Sequence, residues 1–516
     1  MLKPAFLGHA LVLSAFLVAT VKGQLNWDVD DPVAQAPLTH DYQLTCEAIA
    51  KSISPASQVF HPESPEFNED ISHWANSSSE ISACSVRPGT PHDVGLILRE
   101  LGFSHTPFAV KCSGHTANPG FSSTPGVHIS MSRFDDIVIH EDSGTVDIGA
   151  GLTWTDVYSY LVPKGLNVVG GRLVGVGLAG FTLGGGYSWK TNQYGLTVDT
   201  VTAFELVLPN GEVKVLTEKD EDLFFALKGG MNNYGIVTKF TFKTHKQTDV
   251  WGAVLGFEGD QIEPAYTAFA DFLSKEHDHK GSQLGEITYS NGTVVFGMVL
   301  FYDGPKPPDG LYDDLLKLPN SVKSIIEGSF THFVLSIPPS EYERVYFDGI
   351  PVLRYTAPFL KAVINDLQSW GDKLSKRDSD LLIVFSLDPF ESDFLTHGEP
   401  SAYPPDRSQI VHPSSLYFGW SDKSLDKYMY DNMRQLSESV IEAGIKDGQD
   451  VRNAAHYPNY ALFGTPLEKL YGDNLKRLRG IRRETEKYRL GEPEIRPLFF
   501  FLIVFILDVL PMNDGT

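Results

Sequence analysis

Residues 111–120 read Lys-Cys-Ser-Gly-His-Thr-Ala-Asn-Pro-Gly and follow the β-rich run Phe108-Ala109-Val110 directly. A strand that ends in a turn of small residues lets several backbone N–H groups converge on one anion, as a pyrophosphate requires. The histidine in that turn, His115, then stands beside whatever the phosphates carry. Downstream, Gly170 to Gly186 reads Gly-Gly-Arg-Leu-Val-Gly-Val-Gly-Leu-Ala-Gly-Phe-Thr-Leu-Gly-Gly-Gly, with nine of seventeen positions glycine or alanine. Glycine at that density implies repeated positive φ or close approach of bare backbone to a large ligand. Within it, Gly175-Val-Gly-Leu-Ala-Gly180 matches the dinucleotide fingerprint G-x-G-x-x-G, and Asp199 stands near the acidic position expected after it. The fingerprint needs a helix to open behind it, and Phe181 to Gly186, ending in three glycines, is a poor helix start, so a Rossmann unit is not expected. A third block, from Asp222 through Gly235-Ile236-Val237-Thr238, predicts a short helix, a glycine turn and a strand.

Around these blocks, from Cys84 to about His245, short β-branched runs alternate with glycine turns. Phe108–Lys111, Ile137–Ile139, Val146–Ile148 and Thr200–Leu208 predict strands, and Pro91–Leu101 and Thr155–Leu161 predict short helices. Between about Val250 and Val440 the texture changes to alternating segments such as Thr293–Leu300 and amphipathic ones such as Ala265–Leu273 and Phe359–Leu374. The expectation is an α+β chain of two domains, the second a sheet flanked by helices. Its divisions are a leader at 1–23, a first domain at 24–245, a second at 246–450 and a returning C-terminal segment at 451–516.

The 516 residues exceed what one compact core holds, in keeping with two lobes. With 65 acidic against 42 basic residues, a formal charge of −23 repels phosphate backbones and anionic lipid, so nucleic acid is not an expected partner. Lys3, the apolar run Ala10–Val21 and the small residues before Gln24 predict a secretory leader cleaved after Gly23, hence a secreted protein. On that route the sequons at Asn76 and Asn291 would carry glycans. Of three cysteines, Cys46 and Cys84 flank one segment and can pair in an oxidising compartment, leaving Cys112 as a small buried residue. The run Leu498–Leu510, uncharged but for Asp508, is too short to span a bilayer, so no membrane anchor is expected. Glu276-His-Asp-His279 offers metal-ligand types, but sequence neighbours do not face one another on a helix; a solvated helix end is expected, and no metal. The basic stretch Lys476–Arg483 likewise predicts a solvated face.

Taken together, the three blocks resemble the FAD domain of the vanillyl-alcohol-oxidase (PCMH-type) superfamily, in its berberine-bridge-enzyme-like branch. The likeness includes Gly149-Ala-Gly-Leu-Thr-Trp-Thr-Asp-Val-Tyr158 and returns at Tyr457-Pro-Asn-Tyr460 and Tyr471-Gly-Asp-Asn474. It implies a PCMH-type FAD-binding domain with a second α+β substrate domain. The loop Lys111, Cys112, Ser113, Gly114, His115, Thr116, Ala117 would cradle the FAD pyrophosphate, with His115 bonded to the flavin 8α-methyl. The cysteine that gives many members a second flavin link corresponds to Leu173, which implies single attachment. Val176 matches a position controlling oxygen access, and its small side chain suits an oxidase. Gly171, Gly175, Gly177, Gly180 and Gly185 would shape the cofactor site, and Gly235, Ile236 and Val237 would contact the nucleotide. Tyr457 and Tyr460 match catalytic tyrosines over the flavin, and Tyr417 and Trp420 fall where relatives line the pocket. Cys112, Ser113 and Ala179 depart from the family's usual residues, and after Arg482-Arg483 the tail to Thr516 departs altogether. The implied activity is oxidation of a small molecule, a carbohydrate or secondary metabolite, with molecular oxygen as acceptor. The alternatives are a dehydrogenase with another acceptor and a degenerate flavin-binding protein without turnover.

Overall fold

The computed structural model describes residues 42–337 and 342–486; the expected leader and the run Leu498–Leu510 lie outside them. The first lobe is built on two sheets. One orders the strands Gln58–Phe60, Cys84–Arg87, Val127–Ser130 and Phe108–Lys111, with the last three parallel. The other is antiparallel: Ile137–His140, Thr145–Gly149, Ile236–Lys243, Val201–Val207 and Val213–Leu216. The helix Pro91–Ser104 starts where the sequence says it should. Thr90 accepts a hydrogen bond from the Asp93 N–H at 3.1 Å, Pro91 needs no donor in the first turn, and His105 in the left-handed region ends it. Trp154–Leu161 begins with a reciprocal capping box between Thr153 and Asp156. A disulfide joins Cys46, on the helix Gln43–Ser52, to Cys84, and Cys112 is free.

The second lobe is a seven-stranded antiparallel sheet. Its order is Val322–Gly328, Val250–Phe257, Thr293–Tyr302, Gly281–Ser290, Leu382–Leu387, His412–Trp420 and Arg344–Val352. Side chains alternate across a sheet, and here the alternation divides two environments. Ile287, Ile383, Phe385, Leu416 and Phe418 join a core with the helices Ile262–Leu273, Ala357–Leu374 and Asp426–Lys446. Leu284, Glu286, Val384, Ser386, Ser415 and Tyr417 point the other way, into a cavity against the first lobe. Helices thus cover one face, and the first lobe faces the other. After Val451 the chain returns: Leu467, Leu470, Tyr471, Leu475, Leu478 and Ile481 pack in the first lobe's core. The basic helix Asn474–Glu486 is not merely a solvated face, because Arg477 stacks on Phe225 at 3.9 Å and pairs with Asp222.

Behind Gly175-Val-Gly177 a six-residue helix, Leu178–Leu183, does open with Gly177 as its N-cap, contrary to the sequence expectation. The apolar residues Leu178 and Leu183 carry it into the lobe core, which outweighs the poor propensity of the glycines behind it. The Rossmann reading still fails, because the strand before it, Leu166–Asn167, pairs antiparallel with His245–Lys246, so no parallel β-α-β unit frames the motif. Among the described residues no helix is long and apolar enough to cross a membrane.

Candidate functional site

A cavity of about 330 Å³ lies between the two lobes. Its first-lobe wall is made by Cys112–Asn118, Arg172, Leu173, Val176, Gly177, Gly180 and Ile236-Val237, its second-lobe wall by the sheet residues named above, and Tyr457–Ala461 closes one side. Twelve of the seventeen residues expected to bind a cofactor meet here; Lys111, Gly171, Gly175, Gly185 and Gly235 do not line it.

Those five act from behind the wall. The Lys111 ammonium, buried beneath the loop, donates to the Ser72 carbonyl at 2.8 Å and the Glu69 carbonyl at 3.2 Å, so it props the turn instead of reaching an anion. A side chain at Gly171 would strike the Trp154 ring, and its carbonyl accepts the Tyr158 hydroxyl at 2.7 Å. Gly175 holds φ +79°, Gly185 φ +120° and Gly235 φ +149°, where other residues are strained.

The turn itself has what an anion needs. Gly114 holds φ +75°, and the N–H groups of Gly114, Thr116 and Ala117 donate to nothing among the described residues. Three bare amides on one concave loop form the kind of nest that receives phosphate oxygens. A Cβ at Gly177 would stand 2.7 Å from Cys112 Sγ, which keeps the two glycine-rich loops in contact. Cys112 is a packing group, as its type suggests: burial pushes its thiol up, and Sγ lies 3.4 Å from the Leu152 carbonyl. The returning segment ties both loops together. Asn118 bonds the Ala461 carbonyl at 2.9 Å and the Phe463 N–H at 3.1 Å, while Asn459 bonds the Phe181 carbonyl at 3.0 Å.

His115 stands at the cavity wall with its ring stacked on Trp74, centroids 4.5 Å apart and planes 9° from parallel. Burial drives its pKa down to about 4, so the imidazole is neutral at pH 7 and keeps a lone pair for bond formation. Two buried donors on this side, Trp74 Nε1 and Tyr417 Oη, have no hydrogen-bond partner among the described residues, and both residues line the cavity. Bare amides, a neutral imidazole, unpaired donors and glycine walls together fit a flat cofactor bearing phosphates.

The same cavity is lined by an arrangement of which motif reading singled out only Tyr460. Arg172 and Asp388 form a bidentate ion pair at 3.0 and 2.8 Å, both side chains almost fully buried. Tyr460 completes it: its oxygen accepts from Arg172 at 3.0 Å and its hydroxyl donates to Asp388 at 3.2 Å. Burial pushes the Tyr460 phenol far up, so it stays protonated at rest. Tyr457 differs. Its oxygen accepts from the Asn459 amide at 2.7 Å and the Gly186 N–H at 3.1 Å, and its pKa is pushed up to about 12 by burial. The Glu286 side chain, on the second-lobe wall, makes no hydrogen bond among the described residues, and burial together with nearby Asp388 raises its pKa to about 7. Arg172 stood in the quoted glycine stretch, and its charge among glycines was the one available signal; Glu286 and Asp388 carried none. Tyr417 lines the cavity as expected, but Trp420 does not. Three positions along a strand reverse the face, and Trp420 packs on the helix side, donating to Asp426 at 3.2 Å.

Comparison with known proteins agrees with this geometry. Residues 82–217 match the family described as FAD binding domain. An uncharacterized FAD-linked oxidoreductase of Arthroderma benhamiae is 34% identical over 55% of this chain and 58% of its own length. The chain thus matches little more than half of that relative. An FAD-dependent monooxygenase of Aspergillus calidoustus is 27% identical over 93% of this chain and 95% of its own. Among solved structures, a Physcomitrella patens BBE-like 1 variant superposes with TM-score 0.69 at 19% identity, covering 88% of this chain and 99% of that one. Glucooligosaccharide oxidase from Acremonium strictum, described with a 6-S-cysteinyl, 8α-N1-histidyl FAD, gives TM-score 0.70 at 16% identity, covering 86% and 96%. In its domain match and its relatives this chain is similar to FAD-linked oxidoreductases, and in fold it is similar to berberine-bridge-enzyme-like structures.

Proposed function

We propose that the chain is a secreted FAD-dependent oxidase of a small-molecule alcohol, with the cofactor bonded to His115 alone. The observation that carries the reading is the single cavity that sets a neutral His115 and a nest of free amides against the Tyr460–Asp388–Arg172 array. When bound, the flavin supplies the hydride acceptor and hands the electrons on to oxygen. Gly114, Thr116 and Ala117 would hold the pyrophosphate, and His115 Nδ1 or Nε2 would form the covalent link. Leu173, where many relatives have cysteine, offers no second one.

The remaining work falls to side chains. Tyr460 is protonated, so it can take a proton from a substrate hydroxyl only as its own passes to Asp388. Arg172 holds that carboxylate in place through two hydrogen bonds and fixes the phenol through a third. Tyr457 has its oxygen occupied as an acceptor and its O–H without an acceptor among the described residues, which suits it to donating a hydrogen bond to substrate. Trp74, Phe347 and Tyr417, with centroids 5.1 to 6.1 Å apart, give the cavity an aromatic side suited to a ring, as in a sugar or a cyclic secondary metabolite. The Cys46–Cys84 disulfide and the exposed sequon positions Asn76 and Asn291 support export and glycosylation.

The test is His115→Ala. Wild-type protein should stay yellow through acid precipitation and yield a flavinylated tryptic peptide containing His115, whereas the variant should release its flavin and oxidise more slowly. An unmodified His115 peptide from flavin-replete wild type refutes covalent attachment. Hydrogen peroxide formed in air during turnover on alcohols and oligosaccharides separates the oxidase from a dehydrogenase.

A further inference from the structure

His279 belongs to the Glu276-His-Asp-His279 stretch whose members do not face one another, yet the fold brings it to residues more than a hundred positions away. It sits in the turn before the strand Gly281–Ser290, where its Nε2 lies 3.5 Å from Asp393 Oδ1. His397, four residues past Asp393 at the end of the short helix Phe394–His397, completes the group, and one ligand atom from each residue lies within 4.8 Å of the others. We propose that His279, Asp393 and His397 form a divalent-cation site of the zinc class that fastens the seam between the two lobes.

Two imidazoles and a carboxylate are the donor set that zinc takes, with a water completing the tetrahedron. Ligand atoms about 2.0 to 2.2 Å from a tetrahedral zinc lie roughly 3.4 Å apart. The His279–Asp393 pair already has that spacing, and the third ligand needs only a side-chain adjustment. A second observation points the same way: although the Asp393 side chain is 45% exposed, its Oδ1 atom is shielded from solvent and accepts no hydrogen bond among the described residues, with His279 Nε2 3.5 Å away. A shielded carboxylate oxygen that accepts no hydrogen bond is incompletely compensated, and a cation bound there supplies the missing partner. The corner is acidic besides, with Glu276, Asp278 and Glu391 on the same two segments.

The location gives the site a purpose. Asn192 of the first lobe is held from three sides by these segments: its side chain donates to the Gly281 carbonyl at 2.9 Å and accepts the Glu391 N–H at 3.0 Å, and its carbonyl meets His397 Nε2 at 3.2 Å. A cation joining the two segments fixes the clamp that grips Asn192. The proposal does not depend on the flavin reading.

The experiment uses the full-length holoprotein, stripped with EDTA and titrated with zinc chloride by calorimetry and thermal melting. The expected result is one zinc per chain with a dissociation constant in the low micromolar range or tighter and a melting temperature raised by several degrees. His279→Asn and His397→Gln, which keep bulk at half-exposed positions, should each weaken binding at least tenfold. His277→Ala, whose ring stacks on Phe272, should leave it unchanged. No binding up to about 1 mM zinc, or equal binding in both site variants, overturns the proposal. Tighter binding of calcium than of zinc overturns the zinc-class assignment.

Discussion

The two walls of the interlobe cavity solve different problems. The first-lobe wall is backbone: glycines at positive φ, free amides on the turn Cys112–Ala117, and side chains kept short so that loops touch, as at Gly177 against Cys112. The sheet wall is side chain: Glu286, Asp388, Phe347 and Tyr417 project from strands whose other face is packed with apolar residues. A surface of peptide groups holds a ligand common to a family, whereas alternate strand positions can change one at a time without disturbing the core. Under the proposed function, retention and recognition fall to opposite lobes, and Arg172, from the glycine wall, is the charge that joins the two walls through Asp388.

The largest effect should come from the glycine wall. Gly177 has an ordinary φ of −71°, so a substitution there tests space alone, and its Cβ would meet Cys112 Sγ and Ser113 Oγ at 2.7 Å. Gly177→Val should abolish flavin retention, read as loss of absorbance near 450 nm relative to 280 nm, and activity with it; near-normal flavin content would show that the wall is more plastic than its packing implies. A step down, Tyr460→Phe removes the proton path to Asp388 but leaves the Arg172–Asp388 pair and every amide in place. Flavin content should be unchanged and kcat lower by about 10²- to 10⁴-fold, the usual range for loss of a positioned acid-base group. If kcat holds and only KM rises, Tyr460 binds but moves no proton, and Tyr457 becomes the better candidate.

The difference between the walls also explains what the sequence disclosed. Backbone sites need glycines at fixed local spacing, so Gly114, Gly177 and His115 could be read within two short stretches and assigned to one ligand. The helix Leu178–Leu183 escaped notice because tertiary packing, not propensity, makes it. Side-chain sites on a sheet are assembled from residues far apart in sequence: Glu286, Asp388 and Tyr417 come from three strands or strand ends whose adjacency depends on an order, Gly281–Ser290 beside Leu382–Leu387 beside His412–Trp420, that no local pattern encodes. The strand His412–Trp420 shows the limit. It is buried at every position, so no polar alternation marks which face is which, and Trp420 looked as eligible as Tyr417. Lys111 misled for another reason, since a lysine before a glycine turn resembles a phosphate ligand until its ammonium is seen capping the carbonyls of Glu69 and Ser72.

The smallest expected effect separates the walls by pH. Glu286 has its folded-state pKa raised from 4.5 to about 7, by burial first and then by Asp388. For an acid whose folded pKa is raised, the native state binds the extra proton. Stability is therefore full below the unfolded value and falls as pH rises from about 4.5 toward 7, where the buried carboxylate must ionise. Glu286 is only partly buried by surface area, so the loss should be about 2 kcal/mol, less than the whole shift would give. Glu286→Gln keeps the shape and removes the titration. In flavin-free protein the parent should lose melting temperature between pH 5 and pH 8 by a few degrees more than the variant does. Equal pH slopes would mean that Glu286 finds a donor in solution and that the sheet wall carries no standing charge beyond Asp388. A reduced slope in the variant would identify an ionisable wall on which a substrate's hydroxyl or amino group supplies the donor that the protein withholds.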